Sequence, residues 1–109
     1  MIRVTIFKDS NQRVRGFESL GHAGYSEGGS DIVCSAVSVL IINALNSIET
    51  FTEDKYQLVS DEHKGEMQVQ FPSLLSEEAD LLIRSMILGL QTIQNDYNHK
   101  YIHVKFKEV

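Results

Sequence analysis

Residues 21–38 read GHAGYSEGGSDIVCSAVS, and the pattern changes halfway along. Four glycines, at 21, 24, 28 and 29, fall within the first nine positions. From Ile32 onward the apolar residues recur at helical spacing. Ser30 or Asp31 suits the N-cap of a helix running to about Glu49 or Phe51. Ile32, Val33, Ala36, Val37, Leu40, Ile41, Ala44, Leu45 and Ile48 fill nearly its whole circumference. A helix with so little polar face is expected to be covered on more than one side. That expectation governs the fold, because the rest of the chain must supply the cover.

Upstream, Ile2 to Lys8 alternates as a strand, with Ile2, Val4 and Ile6 on one face. Asp9-Ser10-Asn11-Gln12 is turn chemistry, and Val14 to Leu20 returns as the second strand of a hairpin. Downstream, Lys55 to Ser60 and Glu66 to Phe71 form another hairpin across Asp61-Glu62-His63-Lys64-Gly65, ended by the only proline, Pro72. Ser76 then caps a second helix whose first turn carries Glu77, Glu78 and Asp80, where the dipole favours negative charge. Ala79, Leu82, Met86, Leu90, Ile93 and Tyr97 make its core stripe, and Tyr101 to Lys107 closes as a strand. The order is ββαββαβ: an α+β fold, one domain over residues 1–109, with two helices packed against a mainly antiparallel sheet.

The 109 residues are 42% apolar and 23% charged, which describes a soluble globular chain. Net charge is −5, which disfavours nucleic acid and anionic lipid and suits a basic partner. The longest apolar run, Val37 to Ile42, is short for a bilayer, so no membrane association is expected. The N-terminus alternates like a strand and lacks the apolar core of a signal peptide. A single cysteine rules out an internal disulfide framework and fits a reducing, cytoplasmic setting.

That cysteine, Cys34, is expected in the first turn of the long helix, where unpaired backbone N–H groups favour a thiolate. A lone cysteine in an apolar helix is ordinarily a small core residue. The preceding loop argues for more, since four glycines are costly to order and a plain connection does not need them. His22, at its start, is able to reach the sulfur as base and acid. Metal binding fails on ligand count: beyond His22 and Cys34 no His-x-x-His or Cys-x-x-Cys pairing completes a set. The glycines match no phosphate cradle, and no cofactor is expected. His63 sits in a polar turn, and His99 and His103 straddle a helix-to-strand transition facing solvent or capping the helix. Asp31 either caps the helix or orients His22. Ser38, one turn beyond Cys34, either lines the site or bonds back to its own helix. Tyr25 either stacks on a substrate or is a surface aromatic. Two functions stay open on the residues alone: cysteine-dependent acyl transfer, or a noncatalytic homodimeric module, with an inert Cys34, that binds a basic protein.

Gly21-His22-Ala23, followed after the loop by Asp31-Ile-Val-Cys-Ser-Ala-Val-Ser38, closely resembles the ribosomal-processing cysteine protease family, Prp. Histidine precedes cysteine by twelve positions, and the likeness extends over the whole chain. The resemblance implies a small homodimeric protease that removes a short N-terminal extension from a large-ribosomal-subunit protein. It puts the catalytic pair on His22 and Cys34, with Gly21, Asp31 and Ser38 as matching motif positions. The loop from Ala23 to Ser30 is expected to close over the peptide, with Gly24, Gly28 and Gly29 as its hinges.

Overall fold

Alternation along the first strand buries Ile2, Val4 and Ile6 together. The computed structural model describes residues 1–22 and 30–109. In chain order the elements are β1 (Ile2–Lys8), β2 (Val14–Leu20), α1 (Ser30–Phe51), β3 (Gln57–Asp61), β4 (Glu66–Gln70), α2 (Glu77–Asp96) and β5 (Ile102–Glu108). This is the ββαββαβ order expected from the sequence. The five strands form one sheet, ordered β3-β4-β2-β1-β5. Every neighbouring pair is antiparallel except β1 and β5, which run parallel.

Residues opposite one another across a ladder share a face. Ile6 with Phe17, Ile2 with Ile102 and Val4 with Val104 therefore build one apolar surface. Against it lie Val33, Val37, Ile41, Ala44, Leu45 and Ile48 of α1 and Ala79, Ile83, Met86 and Leu90 of α2, all in one core. Each large side chain buried there contributes roughly 1.5–3 kcal/mol. On α2 the buried stripe also takes in Ile87 and Gln94, while Leu82, Ile93 and Tyr97 are only partly covered. The Gln94 side-chain oxygen accepts from the Val104 N–H at 2.6 Å, tying α2 to β5.

Two strands start later than the sequence reading has them for a common reason, the supply of ladder partners. Gln57 already pairs with Gln70, the last residue of β4, so Lys55 and Tyr56 have no strand to pair with. At the other end, Tyr101 precedes β5, its ring buried and its carbonyl accepting from the Ile2 N–H at 2.8 Å.

The start of α2 is held by a relay. Ser76 Oγ accepts from the Ala79 N–H at 3.1 Å and donates to Asp54 Oδ1 at 2.6 Å, while the Ser76 N–H donates to Asp54 Oδ2 at 2.8 Å. The Ser76 hydroxyl, and then its N–H, hold the Asp54 carboxyl below the usual carboxylate range. Asp54 thus ties the exit of α1 to the entry of α2.

The 22-residue α1 is, by length and composition, apolar enough to cross a membrane, which the short run read from the sequence was not. Its inner face nevertheless lies in the core described above, as the central helix of a folded domain does. Its outer face leaves Ile32 and Val39 about two-thirds exposed, at 66% and 64%.

Candidate active site

The position of His22 follows from strand register. The β2–β4 ladder pairs Ser19 with Met67, and Gly21 with Gly65 continues it: the Gly21 N–H donates to the Gly65 carbonyl at 3.1 Å. Gly21 adopts φ +98°, and a Cβ built on it would stand 2.5 Å from the Met1 carbonyl oxygen. Only glycine meets both conditions. On the next residue, the Met1 amino group donates to the His22 carbonyl at 2.6 Å. The histidine is therefore carried on backbone tethered to two neighbouring segments.

Cys34 comes from α1. The helix begins at Ser30, so neither Ser30 nor Asp31 precedes it as a cap. Residue 29, which precedes Ser30, lies outside the described residues. Cys34 is then the fifth helical residue, not a member of the first turn. The dipole acts mainly within the first turn, so it contributes less than the sequence reading supposed. Helical side chains lean toward the N-terminus, which directs the half-buried thiol back over that turn.

His22 and Cys34 line the same cleft, of about 410 Å³. Val37 and Ile41 of α1 supply apolar wall, joined by Leu58 of β3 and Met67 of β4. Ser38 and Gly21 also line it, so Ser38 stands on the side of the helix that faces the cleft. Asp61, Glu62 and Glu66 put three acidic residues at its rim, with no lysine or arginine among the described lining residues. A thiol and an imidazole opening onto one peptide-sized groove are the groups that acyl transfer requires.

A second cavity, of about 480 Å³, is lined by Phe7, Arg15, Glu18 and Gln68 among others, and contains no cysteine or histidine. The chemistry therefore belongs to the smaller cleft.

Other residues singled out from the sequence fall elsewhere. Asp31 is exposed in the first turn of α1, past the capping position, and is not among the cleft's described lining residues. A carboxylate there still complements the helix dipole. Tyr25 and the expected hinges Gly24, Gly28 and Gly29 lie outside the described residues. His63, His99 and His103 are exposed, the last two with ring centroids 6.4 Å apart. Among the described residues no three histidine, cysteine or acidic side chains converge as a metal site. The sequence reads Asp61, Glu62 and Gly65 only as hairpin turn and Glu66 as the start of a strand; their glycine and acidic run are the visible signal.

The family model for cysteine protease Prp matches residues 1–103. A ribosomal processing cysteine protease Prp from Bacillus subtilis is 35% identical over 101 residues, covering 89% of this chain and 90% of that protein. Two crystal structures of an essential ribosomal processing protease Prp from S. aureus also match, each covering 98% of this chain and all of that one. One holds a covalently linked product peptide and is 30% identical with a TM-score of 0.89. The other holds a substrate peptide and is 29% identical with a TM-score of 0.90. These likenesses favour an enzyme over the noncatalytic module. The chain belongs to the family of cysteine protease Prp.

Proposed function

We propose that this protein is a cysteine endopeptidase with Cys34 as nucleophile and His22 as its acid–base partner, and that it removes a short N-terminal extension from a large-ribosomal-subunit protein. The observation that carries this reading is the single cleft lined by the chain's only cysteine and by His22. The relatives' description as ribosomal processing proteases, and the peptides bound to two of them, support the substrate class. The carboxylates of Asp61, Glu62 and Glu66 add charge complementarity to a basic polypeptide.

In this mechanism His22 takes the thiol proton as Cys34 Sγ attacks the scissile carbonyl. The tetrahedral oxyanion accepts from backbone N–H groups at the start of α1 or in the loop before it. The C–N bond breaks as His22 returns the proton to the leaving amine, which becomes the new N-terminus of the mature protein. A water then gives a proton to His22 and attacks the thioester, releasing the extension as a carboxylic acid and restoring the thiol. Asp31, matching the family motif, favours the helix start electrostatically, and Ser38 lines the groove beside the sulfur. Tyr25 is assigned to contact with the bound peptide.

The same reading includes a twofold homodimer in the cytoplasm, binding no nucleic acid. Ile32, Val39 and Ile42 form an exposed apolar stripe on α1, and burying it against a second copy supplies the cover that the helix lacks. Ile42 belongs both to this stripe and to the cleft, so the interface would run up to the site.

The test is cleavage of the extended precursor by wild type, Cys34→Ala and His22→Ala. Both variants are expected to fold and to lose turnover by about 10³-fold or more. Activity within about tenfold of wild type in either variant removes that residue from the pair.

A further inference from the structure

The turn between β3 and β4 does more than join two strands. Gly65, its last residue, has φ +60° and lies against His22. A Cβ built on it would stand 2.7 Å from the Gly21 carbonyl oxygen, and 2.8 and 2.9 Å from Cε1 and Nε2 of the His22 imidazole. Real side chains do not tolerate such separations, so either the ring or the backbone carrying it must move. The backbone has little freedom to yield, because the Gly21 N–H is bonded to the Gly65 carbonyl and the His22 carbonyl to the Met1 amine. The imidazole is thus seated against a bare backbone surface that exists only because residue 65 has no side chain.

We infer that Gly65 is a positioning residue for the reaction: the turn it closes is the back wall that sets where the His22 imidazole stands relative to Cys34. This inference rests on the reading of His22 as the acid–base partner of the thiol. It goes beyond the ordinary reason for a glycine at this place, the left-handed φ of a tight turn. That requirement alone would be met nearly as well by asparagine, which visits the left-handed region with far less strain than other side chains. The wall requirement would not, because asparagine carries the same Cβ. The two explanations therefore separate experimentally.

Gly65→Ala and Gly65→Asn are compared with wild type and with His22→Ala, by steady-state cleavage of the precursor, by melting temperature, and by the rate at which iodoacetamide alkylates Cys34 at neutral pH. Displacing a catalytic group by about 1 Å costs on the order of 10²-fold in rate. Both Gly65 variants are expected to lose turnover on that scale with KM little changed, and to alkylate at a rate close to that of His22→Ala. Gly65→Asn should melt higher than Gly65→Ala, so it carries the test if alanine prevents folding. In the His22→Ala background the ring is gone, and Gly65→Asn should add no further loss of turnover or alkylation rate.

Recovery of wild-type turnover in Gly65→Asn would overturn the inference and leave only the turn's φ requirement. So would an additive loss in the double variant, which would mean that Gly65 acts independently of the imidazole. Wild-type turnover in His22→Ala would overturn the catalytic pair itself, and this inference with it. Loss in His22→Ala beside full activity in both Gly65 variants would overturn this inference alone.

Discussion

Replacing Asp54 with alanine should loosen the join between the two helices, by an amount set by two hydrogen bonds. The carboxylate accepts from the Ser76 hydroxyl at 2.6 Å and from the Ser76 N–H at 2.8 Å, and Ser76 in turn caps α2 through the Ala79 N–H. Hydrogen bonds to a charged group contribute about 1.5–3 kcal/mol each when shielded. The site is only part-buried, so water partly replaces the lost acceptor and the pair together contributes about 2 kcal/mol. For a domain of this size that lowers the melting temperature by about 8 °C.

The pH dependence carries a definite sign. The Asp54 carboxyl titrates below its ordinary value near 3.8 because the folded state stabilises its charged form. That stabilisation is complete above the unfolded value and is lost as pH falls through the lower, folded one. Thermal unfolding followed by far-ultraviolet circular dichroism should therefore show the full deficit of Asp54→Ala at neutral pH and a smaller deficit in acid. An unchanged melting temperature at neutral pH would refute the relay. A deficit of equal size in acid would refute its electrostatic origin.

Two further outcomes test the surfaces around the site. With Asp61, Glu62 and Glu66 on the cleft rim, raising ionic strength from about 0.05 M to 0.5 M should raise KM for a basic precursor several-fold with little change in turnover; a salt-independent KM would separate the rim charge from substrate binding. Val39→Glu, at a position 64% exposed on α1, should leave the fold intact and convert a dimer to a monomer in light scattering; an unchanged dimer would move the interface off this helix face.

Much of the architecture was legible because its signals are local. Alternation at Ile2, Val4 and Ile6 is a property of one strand, and Ser76 followed by Glu77, Glu78 and Asp80 is a property of one helix start. The expected boundaries failed where partners are distant in sequence, as at Lys55 and Tyr56, which outrun the end of β4. The parallel union of β1 with β5 is likewise settled by packing across nearly the whole chain.

The site divides in the same way. His22 and Cys34 stand out as residue types flanking a glycine-rich loop. Gly65 and the acidic rim reach them only through the register of β2 on β4, which no local pattern encodes. Asp31 shows the limit of boundary reading: starting the helix at Ser30, two residues earlier than an Asp31 cap requires, puts Asp31 in the first turn.

The central claim is that Cys34 becomes bonded to the substrate carbonyl in the cleft it shares with His22. Intact-protein mass spectrometry of acid-quenched wild-type enzyme with excess precursor tests it most directly. The account predicts an adduct equal to the acylated N-terminal extension, mapped by digestion to the peptide containing Cys34 and absent from Cys34→Ala. Cleaved product formed with no adduct at Cys34 at any quench time, or an adduct on another residue, would contradict it.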